Sequence, residues 1–256
     1  MTTTTVTSAD GTKIAYDRAG TGPALVLIDG ACCYRHFGPQ VPLAAVLATD
    51  FTVYTYDRRG RGESTDTLPY SVQREVEDIE AVIQEAGGSA FLYGHSSGAL
   101  LAAQSHRLSV PKMVLFEPPV GDGGFASFPP EFVTQLGALV DEGKRGDAVE
   151  MFNRAIGVPD EVMDGMMRPV WPALEALAHT LLYDCAIVAA TDFDVVRSVQ
   201  AETLVLSSHT TGADMAARSA AVAENLPNGT HRALAGEWHG VAPEDLAKVL
   251  IEFYQG

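Results

Sequence analysis

The run Leu25-Val26-Leu27-Ile28 is apolar without interruption, the pattern of a strand buried on both faces rather than one lying half in water. Similar short β-rich runs stand at residues 13–18, 24–29 and 52–56, the first two separated by the turn Gly20-Thr21-Gly22-Pro23. Helical spacing then enters. Val72, Val76, Ile79, Ile83 and Ala86 fall on one face of a helix, with Ser71 placed to cap its start and Gly87-Gly88 to stop it. Strands at 90–93, 112–116, 203–207 and 231–234 alternate with helices at 97–108, 214–226 and 243–253. This order predicts an α/β fold: a mostly parallel, eight-stranded-type sheet with helices on both faces and a site at the carboxyl ends of its strands.

One block breaks the alternation. Residues 118–200 show helical periodicities at 131–142, 147–156, 161–167 and 173–190, and no strand pattern. They open with Gly121-Asp122-Gly123-Gly124 and Pro129-Pro130 and hold four of the seven methionines. The expected organisation is a core of 1–118 and 201–256, with 119–200 as a helical cap or lid inserted over the sheet.

A chain of 256 residues forms one such core. Its 17 Lys and Arg against 33 Asp and Glu give a net charge of −16, which repels nucleic acid and anionic lipid surfaces, so no nucleic acid or membrane partner is expected. The Thr-rich first ten residues have neither a basic nor an apolar stretch, so the expected location is cytoplasmic. Cys32, Cys33 and Cys185 make neither a disulfide framework nor zinc-ligand spacing, and no metal is expected.

The chemistry concentrates at Gly94-His95-Ser96-Ser97-Gly98, a G-x-S-x-G between an apolar strand and a helix. The glycines allow a tight turn that lifts the Ser96 hydroxyl out of the sheet, and the N–H of Ser97 at the helix start faces a developing oxyanion. Ser96 is the expected nucleophile.

With this motif in place the chain resembles the α/β-hydrolase family over nearly its whole length. Asp57-Arg58-Arg59-Gly60-Arg61-Gly62-Glu63-Ser64 is similar to that family's D-x-R-G-x-G-x-S turn. Leu234-Ala235-Gly236-Glu237-Trp238-His239 is similar to the loop carrying its histidine. The resemblance implies His239 as general base and the N–H of Ala31 as second oxyanion donor. Asp29 stands where the family usually has histidine, and is expected to point away and bind loop backbone. Cys32, Tyr34 and Trp171 are candidates to line a substrate pocket.

The third triad member is open. Thr211 occupies the position where the family commonly has its aspartate, Asp214 follows three residues later, and Glu117 ends the preceding strand. Adjacent strands lie about 4.8 Å apart, so Glu117 can reach the same imidazole, and some family members carry their acid there. The competing reading pairs Glu117 with Arg154 or Arg168. The function expected is hydrolysis of an ester, lactone or thioester of a small apolar substrate through an acyl-enzyme, without a cofactor. Two alternatives stand beside it: a non-hydrolytic lyase or cyclase acting in natural-product tailoring, and a small-molecule receptor. Oligomeric state is not fixed by the sequence.

Overall fold

The computed structural model describes residues 3–120, 128–236 and 238–256, so the Gly121–Gly124 loop and Glu237 lie outside it. Eight strands form one sheet: β1 (Thr5–Thr7), β2 (Lys13–Ala19), β3 (Ala24–Ile28), β4 (Thr52–Tyr56), β5 (Phe91–His95), β6 (Lys112–Phe116), β7 (Glu202–Ser208) and β8 (Gly229–Leu234). Their spatial order is β1-β2-β4-β3-β5-β6-β7-β8. β1 and β2 pair antiparallel, and from β4 onward every pairing is parallel.

The alternation of β3 explains the layers. Val26 and Ile28 enter a core with α2 (Val72–Glu85) and α3 (Ser97–Gln104), while Leu25 and Leu27 enter another with α1 (Gln40–Leu47) and α11 (Pro243–Gln255). All four residues are buried, which is why the run carries no polar position. Strand β4 lies on one side of β3 and β5 on the other, so the chain reverses its direction of travel at β3 and opens a crevice at the carboxyl ends of β3 and β5.

Between β6 and β7 the described chain is helical: α4 (Pro130–Asp141), α5 (Arg145–Ala155), α6 (Asp160–Val162), α7 (Trp171–Ala176), α8 (Leu181–Ala190) and α9 (Phe193–Ser198). After β7 comes α10 (Ala213–Asn225). Leu136, Phe152, Met163, Leu174 and Leu181 build a separate apolar cluster that also takes in Cys32 and packs on Ala31, Tyr34 and Trp238. The helix expected over 173–190 is broken. α6 runs on through a π turn (Met163–Met167) and a 3-10 turn (Arg168–Val170) into α7, and α8 departs from this arm at 86°. The corner is pinned from outside: Thr180 Oγ1 donates to Leu177 O at 2.8 Å and accepts from buried Arg61 Nε at 3.2 Å. Among the described residues no single helix is long and apolar enough to cross a membrane.

Candidate active site

Four loops at the carboxyl ends of parallel strands converge: Ala31 follows β3, Ser96 follows β5, Glu117 follows β6 and His239 follows β8. The elbow at Ser96 is tight because two glycines permit it. A Cβ on Gly98 would stand 2.2 Å from Ile28 O, and one on Gly94 would stand 2.4 Å from Gly98 O. Ser96 itself adopts φ 56°, ψ −124°. Among the described residues only Cys32, Ser96, Glu117 and His239 are non-glycine residues with positive φ. Each such conformation costs about 1–3 kcal/mol and persists only where surrounding contacts impose it. Their coincidence at one place marks the site independently of any motif.

Glu117 is fully buried, yet its carboxylate is saturated. Oε1 accepts from Ser208 N–H at 2.7 Å, and Oε2 accepts from Thr211 Oγ1 at 3.2 Å and from His239 Nδ1. Glu117 is therefore the carboxylate against His239, and Asp214 lies exposed in the first turn of α10. Thr211, at the position where the family commonly has its aspartate, instead donates to the carboxylate that ends the preceding strand. Arg154 pairs with Glu150 and Asp160, and Arg168 with Glu150 and Asp164, so neither engages Glu117.

His95 supports the same imidazole. Its ring stacks on Phe116 at 5.2 Å and lies 4.6 Å from the His239 ring. Burial, with the neighbouring His239, pushes its pKa down to about 3, so it is neutral near pH 7 and its Nε2–H donates to His239 O at 3.2 Å. This bond holds the His239 backbone in its unusual conformation. Ser96 Oγ makes no hydrogen bond among the described residues, and such contacts in unliganded sites tighten only with substrate present.

Ser97 follows Ser96 in the chain, and the Gly30–Ala31 peptide comes up against it from the end of β3. A Cβ on Gly30 would stand 3.0 Å from Ser96 Cβ, which places the Gly30–Ala31 peptide directly beside the elbow. Ser97 opens α3, where first-turn N–H groups lack helical partners. Asp29 is buried against Gly38, and its carboxyl makes no hydrogen bond among the described residues, contrary to the backbone bond expected of it. Burial pushes its pKa up to about 8, against the opposing pull of Arg61 and Arg58. A neutral acid there does not repel a forming oxyanion.

A sequence model of the alpha/beta hydrolase family matches residues 14–249. The chain belongs to that family. A solved structure of an alpha/beta hydrolase from Sphaerobacter thermophilus is 42% identical, with 98% of this chain and 100% of that one covered and a TM-score of 0.90. An esterase from Thermogutta terrifontis (19% identical, TM-score 0.79, coverage 100% and 98%) and an enol-lactonase from Burkholderia xenovorans (18%, 0.78, coverage 99% and 100%) share the fold.

In this α/β-hydrolase, Cys32 and Tyr34 meet the helical segment: Asn153 Nδ2 donates to Cys32 Sγ at 3.5 Å, and Tyr34 borders a cavity of about 210 Å³ with Gly60, Gly62, Ala173, Ala176 and Leu177. Neither Ser96 nor His239 lines that cavity. Trp171 packs within the helical segment, with the Arg168 guanidinium 4.3 Å from its ring centre, and no described contact brings it to Ser96 or His239.

The arginines of the Asp57–Ser64 turn have roles that the sequence does not reveal. Arg58, Arg59 and Arg61 are almost wholly buried. Arg58 forms a two-pronged pair with Glu75 and donates to Asp184 Oδ1 at 2.8 Å, Arg59 pairs with Asp78, and Arg61 donates to Asp184 Oδ2 at 2.7 Å. Ser97 Oγ adds a third bond to Asp184, at 2.7 Å. The spacing D-R-R-G-R-G was the available signal, but the partners come from residues 75, 78 and 184.

Proposed function

We propose that this protein is a serine hydrolase that cleaves an ester, lactone or thioester of a small, mainly apolar substrate. The observation that carries the reading is the saturated Glu117 carboxylate on His239 Nδ1, beside the strained elbow of Ser96. Glu117 fixes the tautomer that leaves Nε2 free to accept, and stabilises the imidazolium that forms. His239 takes the Ser96 proton as Oγ attacks the acyl carbon. The N–H groups of Ala31 and Ser97 receive the oxyanion, and the leaving group takes the proton from His239. Water, activated by His239, then releases the acid. The apolar cluster reaching Cys32, Tyr34 and Trp238 supports an apolar substrate, and the segment 119–200 acts as its cap.

A fluorophosphonate probe and a panel of p-nitrophenyl esters, lactones and thioesters test this. Wild type should be labelled and should turn over at least one class, and Ser96→Ala should lose both. Turnover retained by Ser96→Ala would remove the covalent route.

A further inference from the structure

The Asp57–Ser64 turn reaches past its own loop to grip the backbone on both sides of Ala31. Arg61 Nη1 donates to Gly30 O at 2.5 Å and to Cys33 O at 3.2 Å, and Arg58 Nη1 reaches Asp29 O at 3.4 Å. In a trans peptide the carbonyl and the following N–H point in opposite directions. Holding Gly30 O on the guanidinium therefore turns the Ala31 N–H the other way. The same peptide lies against Ser96, and the Ala31 N–H has no partner among the described residues. Arg61 is in turn held by Asp184 of α8, which also accepts from Ser97 Oγ, the residue supplying the other donor.

We propose that Arg61, fixed by Asp184, is a positioning residue that aims the Ala31 N–H at the oxyanion, so that the helical segment takes part in forming the oxyanion hole. The assignment rests on the serine-hydrolase reading of Ser96. Two features argue for positioning over simple packing. Arg61 places a charged donor on two carbonyls of one loop, which polarises the Gly30–Ala31 amide and strengthens its N–H as a donor. A pair serving stability alone has no need of that loop, since buried ion pairs are often replaceable by apolar residues.

Arg61→Lys keeps the charge opposite Asp184 but lacks the planar fork that reaches carboxylate and carbonyls together. Arg61→Gln with Asp184→Asn removes both charges and leaves Arg58 its two-pronged pair with Glu75, so no buried charge is left unpaired if the single variant does not fold. Both are compared with wild type and Ser96→Ala on a p-nitrophenyl ester. They are also tested against an alkyl trifluoromethyl ketone, which captures the oxyanion geometry, and the matching methyl ketone, which does not. In either folded variant kcat should fall about 10- to 100-fold with KM within about threefold. Trifluoromethyl ketone affinity should fall by a similar factor while methyl ketone affinity holds. A folded variant whose kcat and ketone affinity ratio stay within about threefold of wild type overturns the assignment and leaves the hydrolase reading intact. If wild type neither turns over the ester nor binds the trifluoromethyl ketone, or Ser96→Ala does both, the hydrolase reading fails and this assignment with it.

Discussion

Replacing Glu117 by Gln changes one charge and almost no volume, at a site where each carboxylate oxygen has assigned donors. If the Gln oxygen takes the Oε2 position, it keeps His239 and Thr211 but sets an NH2 against the Ser208 N–H that now donates at 2.7 Å. If it takes the Oε1 position, the NH2 donates to His239 Nδ1 and forces the proton onto Nε2, where Ser96 must deliver its own. Either way the imidazolium loses its counter-charge. Two unit charges about 4 Å apart at an effective dielectric of about 20 interact by about 4 kcal/mol. The tautomer correction adds about 1 kcal/mol. The sum, about 5 kcal/mol, corresponds to a fall in kcat of about 10³- to 10⁴-fold. KM should change little, because Glu117 is fully buried and contacts His239 by its Nδ1, the ring nitrogen facing away from Ser96 in the proposed mechanism. The lost hydrogen bond to a charged group should lower the melting temperature by about 5 °C. Steady-state kinetics on an activated ester, with calorimetry and Asp214→Asn as control, decide it. Glu117→Gln within tenfold of wild type, or a large loss confined to Asp214→Asn, would refute the tautomer argument and the choice of acid.

Asp29 and Gly98 give two further tests. The folded-state pKa of Asp29 is raised to about 8, so its stabilising contribution is whole below the unfolded value near 3.9 and is lost as pH rises through 8. Asp29→Asn should therefore stabilise the protein increasingly from pH 5 to pH 8, by on the order of 1 kcal/mol per pH unit, and a melting-temperature gain independent of pH would contradict a neutral Asp29. His95, its pKa depressed to about 3, works in the opposite sense: its contribution is present above about pH 6.5 and is lost on acidification. For Gly98→Ala the new Cβ falls 2.2 Å from Ile28 O, a backbone atom that cannot swing aside as a flexible side chain can. We expect a loss of several kcal/mol or no folded protein, measured by chemical denaturation; a variant as stable as wild type would show that the elbow can open.

What the sequence determined by itself is what local chemistry dictates. The run from Leu25 to Ile28 had to be a doubly buried strand, and the glycines at 94 and 98 had to frame a turn, because strand periodicity and steric exclusion act over a few residues. Helix α1 and strand β1 escaped that reasoning: α1 carries Pro42 and its hydrophobic residues share no clear face, and β1 is three residues long. The break at residue 177 was also invisible, since Arg61, more than a hundred positions away, pins it. Which of the two carboxylates meets His239 was decided in three dimensions. Both carboxylates lie within the sequence order Ser, acid, His, but only the pairing of β6 with β7 sets Glu117 beside Ser208 and Thr211 and under His239. The same holds for Arg61. Its side chain is wholly buried away from water, and Asp184, Thr180 and the Gly30 and Cys33 carbonyls, brought to it by the fold, satisfy it.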